Sequence, residues 1–359
     1  MRFLLYNVTT CVKIGGVETS YVAIARELAK AGHEVVICSG KGDFAPTIDN
    51  SNLKLATFDF TPRERIFDLG NGFRKFGERV SFWLNARGFL EHEKFDAVVI
   101  QKPYDFFVVW AMKKQNPNLK AIFISGGEDF YFFDKYFVRY IDKIISVSNE
   151  NAEILRARYG REVIVVPNGV DKEAFAPNAA DRVKIRAKFG VSENETLFGS
   201  AGRVVGWKGF DLAIKAMKEF PECKYLLCGD GEALAGLKTL AAELGVEERV
   251  IFAGMVAHDE LAAHMNAMDI YIQPSKGHEA FGITVIEALA CDKPCVTSDN
   301  GGMRGIIENG VNGFKFENAN AEDLVAKLRL ALENRSNLKP RESIKSKYNW
   351  SESAEAVII

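Results

Sequence analysis

The chain has 359 residues with 46 Lys+Arg, 48 Asp+Glu, a net charge of −2 and an apolar share of 47%. That is longer than one hydrophobic core usually serves, so about two domains are expected, and the near-balanced charge argues against nucleic acid as a partner. No apolar run approaches the roughly 20 residues of a membrane span, the first strand is entered without a signal-peptide pattern, and the six cysteines form no C-x-x-C pair. The expectation is a cytoplasmic chain, soluble or peripheral, with reduced buried thiols and no zinc site. Residues 1–166 hold 23 basic and 20 acidic side chains against 23 and 28 in the remainder, which would fit an N-terminal half facing an acidic surface.

In chain order, residues 2–7 read as a strand, followed by a loop with Gly15-Gly16 and a helix over 17–31. The helix is marked by Val17, Tyr21, Ile24, Ala25 and Leu28 at helical spacing, with Gly32 as its stop. A strand at 34–38 completes a βαβ unit. Gly15-Gly16 is not the G-x-G-x-x-G of dinucleotide folds. The paired glycines either let the backbone approach a phosphate or form a plain loop. Buried strands at 53–58, 96–101, 120–125, 143–148 and 163–166, with helices between most of them, predict a parallel sheet covered on both faces. Between them, 63–90 interleaves Arg63, Arg65, Arg74, Lys75, Arg79 and Arg87 with six aromatic residues. Such a stretch suits either a membrane interface or a helix packing its rings on the sheet.

Pro167-Asn168-Gly169-Val170-Asp171 breaks the pattern, and a polar, charged segment runs on to about 195. The theme then repeats, with strands at 197–201, 225–228, 250–253, 270–273, 294–298 and 313–316, clear helices at 233–244 and 321–332, and a final helix from Trp350. Two doubly wound α/β domains are predicted, with a cleft where the carboxyl edges of the sheets face each other.

The chemistry concentrates after two strands of the second half. Residues 275–289 turn sharply between Gly277 and Gly282 into an apolar helix, with Glu279 and Glu287 eight positions apart. A helix N-terminus offers free N–H groups and a partial positive charge suited to phosphate. Were all eight steps helical, the carboxylates would stand about 12 Å apart, too far for the acid/base pair of a glycosidase. They better grip two parts of one long ligand. In 202–209, Arg203 and Lys208 could neutralise a diphosphate without a metal, and no D-x-D triplet offers a metal a home. Asp230, within Gly229-Asp230-Gly231, reads as a helix cap more than a ligand.

The ordered set Gly15-Gly16-Val17-Glu18, Pro167-Asn168-Gly169-Val170-Asp171, Gly202-Arg203 with Lys208-Gly209, Gly229-Asp230-Gly231, Gly254, Pro274-Ser275, Glu279-x7-Glu287, Asn300-Gly301-Gly302 and Asn312-Gly313 resembles a retaining glycosyltransferase of family 4. The resemblance spans nearly the whole chain and implies GT-B architecture, two Rossmann-like doubly wound domains facing a deep cleft. Residues 1–166 plus 347–359 would form the acceptor-side domain and 167–346 the nucleotide-sugar domain. It further implies a nucleotide-diphospho-sugar donor, UDP- or GDP-linked, with no metal or other cofactor. Glu287 would accept from the ribose hydroxyls, Arg203 and Lys208 would hold the diphosphate, and Glu279 would contact the sugar. The backbone at Phe281, Gly282 and Ile283 would lie near sugar or phosphate, Gly16 would bring N–H groups to the phosphate, and Met255 and Val256 would meet the base. The family's usual histidine after the strand ending at Ser125 is missing. Asp129 or Glu128 would replace its contact, or the segment is a capped turn. Lys102, Asp105 and His278 are weaker candidates, His278 reading best as a surface residue.

The implied reaction is sugar transfer to a glycan or lipid-linked acceptor in polysaccharide or lipopolysaccharide synthesis, with peripheral membrane contact through 63–90. The alternatives are a sugar-nucleotide-binding protein without catalysis, or a sugar-nucleotide epimerase of the same architecture.

Overall fold

A computed structural model describes residues 1–13 and 15–359, so the part of the 7–16 loop at Ile14 lies outside the described residues. The chain forms two compact units, one of Met1–Asn168 with Trp350–Ile359 and the other of Gly169–Asn349. In the first, β1 (Arg2–Tyr6), β2 (Glu34–Gly40), β3 (Leu53–Phe58), β4 (Ala97–Ile100), β5 (Lys120–Ser125), β6 (Lys143–Ser146) and β7 (Ile164–Val165) build a sheet of order β3-β2-β1-β4-β5-β6-β7. In the second, β8 (Thr196–Ala201), β9 (Cys223–Cys228), β10 (Val250–Gly254), β11 (Ile270–Gln273), β12 (Cys295–Ser298) and β13 (Gly313–Phe316) have the order β10-β9-β8-β11-β12-β13. Every pairing within both sheets is parallel.

Parallel strands roofed by helices on both faces have no solvent side, which is why they read as unbroken apolar runs. Phe3, Leu4, Leu5 and Tyr6 are fully buried, and Leu4 lies opposite Val36 on one side and Val98 on the other. The winding reverses beside β1, between β2 and β4, and beside β8, between β9 and β11. Crevices open at such switch points beyond the carboxyl ends of the strands, and the loops carrying the candidate residues all leave from those ends.

The charged segment after residue 171 is not a plain linker. It contains the helix Ala179–Lys188, capped by the Asn178 side chain, whose Arg186 is buried against Asp269 at 2.6 Å. The long Arg stem fills apolar space while its head pairs with a carboxylate, so a polar sequence still packs.

The stretch 63–90 forms a short turn, Arg63–Arg65, and the helix Asn71–His92. Three of its cations turn inward to carboxylates: Arg63 to Glu78 (2.8 Å), Lys75 to Asp129 (2.7 Å) and Arg79 to Asp105 (2.9 Å). Phe82 is buried and Phe76, Trp83 and Phe89 pack on the first core, leaving Phe67 and Phe73 exposed. The tail forms the helix Trp350–Glu355, and Ser353 Oγ donates to the Pro167 carbonyl. Among the described residues no helix is long and apolar enough to cross a membrane.

Candidate active site

In the second unit, the loop after β8 rests on the end of β11. Gly209 sits at φ +71, and a Cβ there would lie 2.0 Å from the Pro274 carbonyl, so only glycine allows the approach. The Lys276 and Gly277 amides donate to the Trp207 carbonyl at 2.8 and 3.1 Å, fixing one loop to the other. The result brings Lys208 to Glu279, and the two form a direct ion pair with both side chains largely buried.

Glu279 is held from below by a chain of side chains. Tyr271 and Thr284 hydroxyls donate to Gln273 Oε1 at 2.8 and 3.2 Å, the Gln273 amide donates to Ser275 Oγ at 2.9 Å, and Ser275 donates to Glu279 Oε2 at 3.2 Å. From the other side the Gly302 amide donates to the Glu279 carbonyl at 2.8 Å, and the Asn300 amide donates to the Gly277 carbonyl at 2.5 Å. The carboxylate is therefore placed by elements as far apart in sequence as β11 and 300–302.

The helix after this turn begins only at Ile283, with Gly282 as N-cap at φ +106. The span from Glu279 to Glu287 is thus half loop and half helix, and a rise per residue taken over all eight steps does not describe it. Phe281 is buried edge-on to Tyr348 at 5.8 Å, so its side chain belongs to packing and only its backbone to the turn. The first-turn N–H groups at Gly282 and Ile283 precede any intrahelical acceptor.

Glu287 is 3% exposed. His258 Nε2 lies 2.8 Å from its Oε1, while Oε2 is buried and, among the described residues, has no hydrogen-bond partner. A buried carboxylate oxygen lacking a donor is costly unless something supplies one. His258 opens the helix His258–Ala267, just after exposed Met255 and half-buried Val256, so it ties the loop beyond β10 to Glu287. Sequence reasoning passed over His258; its one signal was its place directly after 255–257.

Arg203 is exposed on the β8 loop and, among the described residues, carries no ion pair. Asp230 does not cap a helix. Its carbonyl accepts from the Val204 amide at 2.9 Å and its side chain from Gly231, bracing the Arg203 loop, while the next helix starts at Leu234. His278 is half-buried rather than a surface residue.

In the first unit, Gly16 is exposed at the start of the helix Gly16–Lys30, and Glu18 in its first turn accepts from Thr9 Oγ1 at 2.6 Å. Asp129 follows β5 and binds Lys75 at 2.7 Å and Lys102 at 3.3 Å. Burial alone would raise its carboxyl, but Lys102 and Lys75 outweigh that and hold it below the usual carboxylate range. A carboxylate so stabilised is a poor proton acceptor and a good hydrogen-bond acceptor for a hydroxyl. Glu128 beside it is exposed. Asp105 does not face outward at all. It is completely buried, and burial pushes its carboxyl up to about 6 despite Arg79. Among the described residues, no group of three or more His, Cys, Asp and Glu is placed to hold a metal ion.

Two family descriptions match the chain: Glycosyltransferase Family 4 over residues 14–174 and Glycosyl transferases group 1 over residues 181–350. A D-inositol 3-phosphate glycosyltransferase of Geodermatophilus obscurus is 32% identical over 210 residues, 54% of this chain and 46% of the relative. One of Xylanimonas cellulosilytica is 29% identical over 65% of this chain and 57% of its own, so the chain spans about half the length of the curated relatives it matches. Among solved structures, sucrose-phosphate synthase from Thermosynechococcus elongatus superimposes with a TM-score of 0.84 at 20% identity, covering 99% of this chain and 96% of that one. Anabaena HepE in complex with UDP and glucose gives 0.83 at 20% identity, covering 99% and 98%. At such identity the likeness is one of fold.

Proposed function

The chain belongs to the family-4 glycosyltransferases of GT-B fold, and from that premise we propose that it moves a sugar from a nucleotide-diphospho-sugar to a glycan or lipid-linked acceptor. The observation that carries this reading is Glu287: a buried carboxylate with one oxygen held by His258 and the other awaiting a donor. A ribose hydroxyl supplies that donor. The UDP and UDP-glucose complexes of HepE and the sugar transfer named for the D-inositol 3-phosphate glycosyltransferases support a UDP- or GDP-sugar as donor.

In this proposal Arg203 and Lys208 take the diphosphate and stabilise the charge it gains on leaving, where fixed cations act most strongly. Glu279, paired to Lys208, receives hydroxyls of the sugar, and the backbone at Phe281, Gly282 and Ile283 lies along the sugar and phosphate. Met255 and Val256 meet the base. Gly16 contributes N–H groups to the phosphate, and Asp129 accepts a hydroxyl of the sugar or acceptor in place of a histidine. The configuration at the anomeric carbon is retained, the departing phosphate taking the acceptor proton on the same face, and the reaction requires no metal. The acceptor belongs to cell-surface polysaccharide or lipopolysaccharide synthesis and is presented at the inner face of a membrane.

The test is a thermal-shift panel of UDP, GDP, ADP and their sugars, since a ligand of the folded state raises the melting temperature by mass action. One base should stand out, and the cognate nucleotide-sugar should be slowly hydrolysed by wild type and not by Arg203→Ala. Binding without hydrolysis would instead favour a sugar-nucleotide-binding protein. A changed sugar with no free nucleoside diphosphate would favour an epimerase.

A further inference from the structure

The segment after β5 contains seven aromatic residues in eleven positions, Phe130-Tyr131-Phe132-Phe133-Asp134-Lys135-Tyr136-Phe137-Val138-Arg139-Tyr140, and the fold sorts them into two rows. The inner row anchors the segment. Tyr131 stacks on Tyr104 at 4.7 Å and on Phe76 at 5.9 Å, Phe130 meets Tyr159 at 6.1 Å, and Phe137 meets Trp110 at 5.8 Å. The outer row projects: Phe132 is 88%, Phe133 54% and Tyr136 56% exposed. Lys135 and Arg139 are exposed among them, the Arg139 guanidinium lying 3.6 Å from the Tyr136 ring centroid.

The one acid of the segment is withdrawn from this face. Asp134 is fully buried, gripped by Arg158 at 2.8 Å and by the Tyr159 hydroxyl at 3.2 Å. What faces water is therefore aromatic and cationic, with no carboxylate of the segment to oppose it. The face continues toward the start of the helix Asn71–His92, because the Phe76–Tyr131 stack and the Lys75–Asp129 bridge tie the two stretches together. There Phe67, Leu69 and Phe73 are also exposed.

We propose that Phe132, Phe133 and Tyr136, flanked by Lys135 and Arg139, are a docking surface for an anionic lipid bilayer. Exposed apolar clusters of this kind mark interaction sites, and rings beside cations are the composition that settles at a headgroup boundary. A platform for sugar rings would pair its aromatics with carboxylates or amides for the hydroxyls, and 130–140 holds no Asn or Gln and only the buried Asp134. The inference deepens the reading of an acceptor presented at a membrane. It also moves the contact from the helix Asn71–His92, where Lys75 and Arg79 are bound inward, to the loop beside it.

The experiment is co-sedimentation of the full chain with vesicles of phosphatidylcholine alone or mixed with phosphatidylglycerol. Wild type should sediment with the mixed vesicles. Phe132→Ser/Phe133→Ser should lose about tenfold or more in partitioning, since binding scales with the apolar area inserted. Lys135→Gln/Arg139→Gln should lose the preference for the anionic lipid. Both variants should keep the nucleotide-induced thermal shift of wild type, showing that they are folded. Vesicle binding needs neither donor nor turnover, so this proposal and the enzymatic one fail separately. Wild type that ignores both vesicles, or a serine variant that sediments as wild type does, overturns it. So does a concentration-dependent dimer abolished by the serine variant, which would make the occupant a second copy, or glycan binding abolished by it in the absence of lipid.

Discussion

Glu287 and His258 divide one carboxylate between a fixed contact and an open one. A hydrogen bond to an ionised partner contributes about 1.5–3 kcal/mol, so Glu287→Gln should raise the dissociation constant of the cognate nucleoside diphosphate by about tenfold to a hundredfold. The same variant should bind the 2′,3′-dideoxy nucleotide as wild type does, because the lost contact is to the hydroxyls. His258→Ala should show a smaller loss with the same signature, and His258→Asn should recover part of it by keeping a donor. Calorimetric titration with both nucleotides separates these outcomes; an unchanged preference for the ribose form in either variant would remove Glu287 from the ribose. Lys208 makes a different claim. If it acts on the leaving diphosphate, Lys208→Ala should lower turnover about a hundredfold or more while nucleoside monophosphate binds within about twofold of wild type. Equal losses in both assays would argue that Lys208 serves only to hold Glu279.

The turn that carries Glu279 is shaped by the short helical turn Gly301–Gly305, which comes later in the chain. Gly301 has φ +54, and a Cβ there would come within 2.1 Å of the Glu279 carbonyl, whereas Gly305 has nothing within 4 Å. Gly301→Ala should therefore cost about 1–3 kcal/mol and depress turnover by moving Glu279, while Gly305→Ala should change neither; chemical denaturation and initial rates give both readouts. This dependence marks the limit of what sequence discloses. The eight-residue spacing of Glu279 and Glu287 and the apolar runs of β1, β4, β5, β8, β9 and β11 are local patterns, legible because a buried parallel strand must be apolar throughout. The Lys208–Glu279 pair, the Gln273–Ser275 chain and the strap from Asn300 are contacts between distant segments, and no periodicity encodes them. The helix Ala179–Lys188 was hidden for another reason: its inward face includes Arg186, whose partner Asp269 lies far along the chain. Asp269→Ala strands that cation and should cost about 3–5 kcal/mol, measurable in the same denaturation series.

At the scale of the molecule, the two sheets show the same winding reversal, yet the residues at their carboxyl edges differ in kind. The second unit presents Arg203, Lys208 and Glu279 on loops braced by backbone contacts and Glu287 on the helix Ile283–Ala290, a set suited to a polyanionic ligand. The first presents Asp129 between two lysines and, beyond it, exposed aromatics. If the nucleoside part of the donor belongs to the second unit alone, a nucleoside monophosphate should protect that unit selectively. A saturating ligand adds about 2.7 kcal/mol at a hundredfold excess over its dissociation constant, and that gain reaches only amides whose opening disrupts the bound state. Hydrogen exchange should therefore slow in β8, β10, β11 and the helix Ile283–Ala290, with the largest change at 255–258 and 281–287. The amides of β1, β2, β4 and β5 should exchange at their ligand-free rates. Comparable protection in the first unit's strands would mean that the monophosphate is held there, and the assignment of Glu287 to the ribose would fall with it.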